Sequence, residues 1–72
     1  ALLDRLKAKR TELAKGRGVP PYMIFSDKSL EDMARRRPAD AAAFADVHGV
    51  GAAKLRDFAA DFLAVIDAEN ED

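Results

Sequence analysis

Leu2, Leu3, Leu6, Leu13 and Ala14 fall near helical spacing, with Lys9 and Arg10 interrupting the apolar stripe. Gly16 and Gly18 follow, residues suited to a left-handed helix end, so the spacing predicts a first helix from about Leu2 to Lys15. Residues 18–28 read Gly-Val-Pro-Pro-Tyr-Met-Ile-Phe-Ser-Asp-Lys and cannot continue it. The first proline biases Val19 toward extended geometry, and the pair removes two backbone donors. Val19, Tyr22, Met23, Ile24 and Phe25 are nevertheless too apolar to hang in solvent. This loop is expected to lie against the core with a fixed shape, including a helical turn at Pro-Pro-Tyr.

Ser29 precedes Leu30, Met33 and Ala34 at helical spacing, with Asp32 three residues on as a capping acid; Ser26 or Asp27 caps instead if the helix starts earlier. Arg35, Arg36 and Arg37 fill the last turn before Pro38, where positive charge complements the helix dipole and proline stops the helix. A third helix is predicted over Ala39–Val47, capped by Asp40 and burying Phe44 and Val47. His48, Gly49, Val50 and Gly51 break it. A long final helix then sets Leu55, Phe58, Ala59, Phe62, Leu63 and Ile66 on one stripe without a miss. No strand pattern or repeat competes. The expected fold is all-α: a compact bundle of four main helices with an additional helical turn in the Pro-Pro-Tyr loop.

Composition narrows the function classes. Seventy-two residues, 49% hydrophobic and 35% charged, suit one small globular domain over 1–72, below the usual size of a free-standing enzyme. The chain has no cysteine, hence no disulfide or thiolate metal site. With one histidine, one threonine, one tyrosine and two serines, no catalytic set and no metal site is expected, and no cofactor is expected for this domain. His48 reads as a helix-dipole partner or a surface contact. Asp57 and Asp61, one turn apart, read as a solvated face. No apolar run reaches the roughly 18 residues of a membrane span. The chain starts at Ala1 and ends in Glu69, Asn70, Glu71 and Asp72. These ends suggest a segment of a longer protein with a frayed acidic tail at 69–72.

A formal net charge of -1 hides a polarity. Residues 1–18 carry six Lys or Arg against two acids, whereas residues 57–72 carry six acids and no Lys or Arg. If the first and last helices pack together, these charges partly neutralise each other; otherwise the basic end is a patch open to phosphates beside an acidic flank.

The order of these signals is a Leu-rich basic helix, Gly-Val-Pro-Pro-Tyr-Met-Ile-Phe-Ser-Asp, Ser-Leu in helix two, Arg-Arg-Pro, and Gly-Val-Gly before Lys-Leu-Arg-Asp-Phe. It resembles the HRDC (helicase and ribonuclease D C-terminal) domain, over roughly Leu2 to Ile66, and among its bearers most the copy in bacterial RecQ DNA helicases. Lys9 stands where the family's first helix usually has an aromatic, and Phe58-Ala59 where the last helix often reads Tyr-Gly. The resemblance implies an accessory, non-catalytic domain that binds single-stranded or branched DNA weakly and tunes substrate choice by an ATP-driven motor in recombination and repair. ATP and Mg would belong to the parent helicase. The alternative it admits is a protein-interaction or autoregulatory module, its acidic last helix docking on the helicase core or another protein; the same module on a ribonuclease D-type exonuclease ranks third. A bacterial cytoplasmic, monomeric domain without membrane contact is expected.

The DNA-binding candidates are Tyr22, Lys15, Arg17, Lys28, Gly49, Gly51 and Lys54. Tyr22 follows two prolines that stiffen its loop, so its ring can stack a base, as the tyrosine of this stretch does in strand-binding family members; the other reading is a half-buried ring sealing the core. Lys15 and Arg17 flank the loop's entry and Lys28 its exit, a set that would ring one phosphate path, with Arg35 to Arg37 as an extension if they are not simply helix-end charges. Gly49-Val50-Gly51 resembles the hairpin of helix-hairpin-helix proteins, bringing amides to phosphate with Lys54 adding a cation. The alternative is a tight connection needing positive φ at Gly49 and close helix contact at Gly51. Few cations face one strand, so binding should be weak, around 10⁻⁴ to 10⁻⁶ M or worse, and salt-sensitive.

Overall fold

Helix α1 spans Leu2–Arg17 in a computed structural model that describes residues 1 to 71. It runs past the predicted end because Gly16 stays helical and Gly18 makes the left-handed exit, with φ 66°. The Gly18 N–H donates to the Lys15 carbonyl at 3.3 Å and the Val19 N–H to that of Ala14 at 3.1 Å. This double closure satisfies carbonyls that a helix end otherwise leaves open.

The Pro-Pro-Tyr loop then makes a single 3-10 turn at Pro21–Met23, closed by Met23 N–H to Pro20 O and Ile24 N–H to Pro21 O, both at 3.0 Å. Proline suits the first position of such a turn because its missing N–H would have no partner there. Helix α2 spans Asp27–Arg36, and its cap is Ser26 and not Ser29: the Ser26 hydroxyl accepts the Ser29 N–H at 3.2 Å. Ser29 lies inside the first turn, buried, with its own hydroxyl 3.2 Å from that of Ser26. Arg37 ends the helix in the left-handed region, φ 46°, and Pro38 is buried behind it.

Helix α3 is a single turn, Ala41–Phe44, where a longer helix is expected from composition. Asp40 caps it as predicted, accepting the Ala43 N–H at 2.8 Å. Beyond Phe44 the chain tightens into successive three-residue closures, Asp46 to Ala43, Val47 to Phe44 and Val50 to Val47, each at 3.1 Å. High alanine propensity does not outweigh the need to turn toward the last helix. Helix α4 spans Ala52–Glu71 and buries Phe58, Ala59, Phe62 and Ile66.

Helix α1 packs against both α2 and α4, α3 packs on α4, and the 3-10 turn rests on α1. Phe25 is fully buried at the centre, edge-on to Phe44, Phe58 and Phe62 at centroid distances of 6.1, 5.9 and 5.2 Å. Leu6, Ile24, Leu30, Met33 and Ile66 complete the core. Four α-helices and one 3-10 turn, with no strand among the described residues, make the fold all-α as expected. Residues 69–71 are helical, because Glu69 pairs with Arg5 at 2.9 Å and Asn70 accepts from Arg37 at 3.0 Å; Asp72 lies outside the described residues. The oppositely charged ends thus meet across the α1–α4 contact.

Candidate nucleic-acid interface

The Pro-Pro-Tyr turn is held in place by cations from two different helices. Arg10, whose side chain is only 13% exposed, donates to the Phe25 carbonyl at 3.1 Å and to Asp27 at 2.8 Å. From α4, Lys54 donates to the Ile24 carbonyl at 2.8 Å and the Met23 carbonyl at 3.3 Å, with its ammonium 5.3 Å from the centre of the Phe25 ring. Charge-assisted bonds of this kind contribute about 1.5–3 kcal/mol when desolvated. They fix the loop backbone from beneath while Ile24 and Phe25 anchor it in the core.

What the turn presents outward is Tyr22, 69% exposed, beside Met23. Of the two readings of this ring, a seal over the core or a free aromatic face, its exposure matches the second. Lys15 and Arg17 are exposed at the end of α1 where the chain enters the loop. The Arg17 guanidinium lies 4.6 Å over the Phe58 ring, so this cation also covers the core from outside. Phe58 and Ala59 themselves are buried.

The other four candidates have different surroundings. Lys54 faces the loop carbonyls and is half-buried, a fastener of the turn more than a cation beside the α4 N-terminus. Lys28 lines a shallow depression with Asp32, Arg35, Arg36 and His48. Gly49 has φ 79°, and a Cβ there would stand 2.5 Å from the Ser29 hydroxyl, so its glycine is required by backbone and by packing. Gly51 departs from the expected close helix contact, since a Cβ there would meet open space. Its carbonyl accepts the Leu55 N–H at 2.9 Å at the start of α4.

Asp32, read from its spacing as a capping acid, has another task. Its carboxylate accepts the His48 backbone N–H at 2.9 Å and pairs with Arg35 and with Arg36 Nε, the latter at 2.9 Å. The amide bond from His48, joined by the arginine contacts, holds its carboxyl below the usual aspartate range. Asp27 is likewise held low by the hydrogen bond and charge of Arg10. On α1, the Lys9 ammonium is raised by its hydrogen bond to Glu12, with Asp61 across the interface adding to the effect. Among the described residues, no three His, Asp or Glu side chains are grouped to hold a metal ion.

The HRDC domain model matches residues 1–66. The chain belongs to the HRDC family. Its HRDC sequence is 35% identical over 65 residues to the ATP-dependent DNA helicase RecQ of Haemophilus influenzae, covering 90% of this chain and 10% of that protein. Against RecQ of Bacillus subtilis the identity is 36% over 67 residues, 93% of this chain and 11% of the relative. The ATP-dependent DNA helicase UvrD2 of Mycobacterium tuberculosis is 38% identical over 65 residues, 90% of this chain and 9% of that protein. The chain therefore spans about a tenth of the length of these relatives. The likeness to UvrD2 adds a second helicase type to the one expected from the motif order.

Proposed function

We propose that this HRDC domain is an accessory, non-catalytic DNA-binding module of a longer RecQ-type ATP-dependent DNA helicase, and that it steers the motor's choice of single-stranded or branched DNA. The observation that carries this reading is the exposed Tyr22 ring on a turn fixed by two prolines, Arg10 and Lys54. A stiff, outward aromatic loses little freedom on stacking a base, and each such stack is worth about 1–3 kcal/mol. Lys15 and Arg17 supply the adjoining phosphate contacts. ATP hydrolysis and its Mg belong to the motor, and a bacterial cytoplasmic setting follows from that parentage.

The test is titration of labelled single-stranded DNA with wild type, Tyr22→Ala, and Lys15→Ala with Arg17→Ala, at about 50 and 200 mM salt. Wild type should bind with a dissociation constant of about 10⁻⁴–10⁻⁶ M and weaken with salt. Tyr22→Ala should weaken binding by roughly 5- to 150-fold, the range spanned by the loss of one stacked base. No binding by wild type at low salt sinks the reading and favours docking of the acidic α4 on the motor core or another protein.

A further inference from the structure

The depression beside α2 is built apart from the Tyr22 turn, and none of the turn's residues lines it. Lys28, Asp32, Arg35 and Arg36 lie on one face of α2 at intervals of about one helical turn, and His48 closes the rim from the α3–α4 connection. Its electrostatics are arranged in a particular way. The single carboxylate, only 13% exposed, lies at the base and is occupied by three donors: both guanidinium groups and the His48 amide. Arg35 and Arg36 use one edge each on Asp32, and the side chains remain 70% and 45% exposed. Each guanidinium has five N–H donors in a rigid fork, so donors remain on both after the inward contacts are made. Lys28 is exposed at the opposite side. Three cations against one carboxylate leave two positive charges in the depression before His48 is counted.

We infer that this depression is a second phosphate-binding locus, which takes a backbone phosphodiester of the same single strand that stacks on Tyr22. The inference rests on the DNA-binding reading and adds to it a grip that needs no base. Asp32 acts here as a positioning residue: by holding two forks from below, it orients their outer edges and lowers the entropy lost when an oxyanion bridges them. Lys28, in the first turn of α2, stands where the Tyr22 loop runs into that helix and joins the two loci along the chain. The placement of Arg35 and Arg36 in the last turn of α2, where positive charge complements the helix dipole, also sets them at the depression.

The experiment is a ¹⁵N NMR titration of the 72-residue chain with an oligothymidylate of about 15 nucleotides, longer than most footprints of a small single-strand-binding module. It compares wild type, Tyr22→Ala, and Lys28→Ala with Arg35→Ala, whose exposed side chains leave the core untouched; thermal melts check the fold. The expected result is movement of the Lys28, Arg35, Arg36 and His48 signals together with those of the Tyr22 turn. Lys28→Ala with Arg35→Ala should weaken binding on the order of tenfold at low salt and flatten the log–log salt slope by about 1.4, or 0.7 per lost contact on a single strand. If the Tyr22 signals move while those around the depression do not, the second locus is overturned and the Tyr22 reading stands. If only the depression responds, the locus stands and the Tyr22 reading falls. Silence at both overturns both.

Discussion

The two long connections of this HRDC domain are fastened by opposite charges. Between α1 and α2, the cations Arg10 and Lys54 hold backbone carbonyls of Met23, Ile24 and Phe25. Between α3 and α4, the anion Asp32 holds the backbone N–H of His48. The first connection offers carbonyls inward and an aromatic ring outward. The second offers an amide inward and, around the same carboxylate, cations outward. In each connection a charged side chain thus serves the fold and leaves its neighbours exposed, and the sign of the fastener follows from which backbone group the loop leaves without a helical partner.

The sharpest way to break the first connection is Arg10→Ala. It removes two charge-assisted bonds from a largely buried position, and unfolding in denaturant should show a loss of about 2–3 kcal/mol. An unchanged midpoint would mean that Ile24 and Phe25 alone hold the loop. In the second connection, Gly49→Ala should cost about 1–2 kcal/mol for the left-handed backbone, with more from the clash against Ser29. Adding Ser29→Ala should restore only the clash portion, and full restoration would show that the backbone at Gly49 is unstrained.

Acid sharpens the comparison with the smallest effect. Asp27 and Asp32 both have pKa values lowered in the folded state, so their stabilisation is complete above the ordinary aspartate pKa of about 3.9 and fades as pH falls from there through the lower folded values. Wild type should therefore lose stability in that window. Asp32→Asn should remove the α3–α4 share of the loss, and Arg10→Ala should remove the share due to Asp27, whose lowering comes chiefly from that arginine. Melts at a series of pH values below about 4.5 test this. A profile unchanged in Asp32→Asn would place the acid sensitivity elsewhere.

The helices were legible because their signals are local: the stripe of α4, the Asp40 cap and the glycine exit at Gly18 each lie within a turn of what they control. Tyr22 was legible as a candidate for the same reason, since two prolines directly precede it. The expectation that the whole apolar run lies against the core fails at Tyr22 and Met23, which the 3-10 turn leaves exposed while Ile24 and Phe25 are buried. The fasteners were not. Arg10 looked like a break in an apolar stripe, and Lys54 like a phosphate contact, because spacing along a helix does not tell which carbonyl of another loop lies opposite. Lys28 was grouped with Lys15 and Arg17 by nearness in sequence. Its place on α2 sets it in a depression with Arg35 and His48, neighbours that nearness in sequence did not indicate.

The chain contains one tyrosine and no tryptophan, and that tyrosine is the ring standing out on the 3-10 turn. Excited at wavelengths beyond the absorption of its four phenylalanines, the chain therefore emits from the proposed contact point alone. Quenching on addition of a strand would report stacking without any label. Heat unfolding, by contrast, would change the signal little, since the ring already stands in water, so melting is better followed by helical circular dichroism.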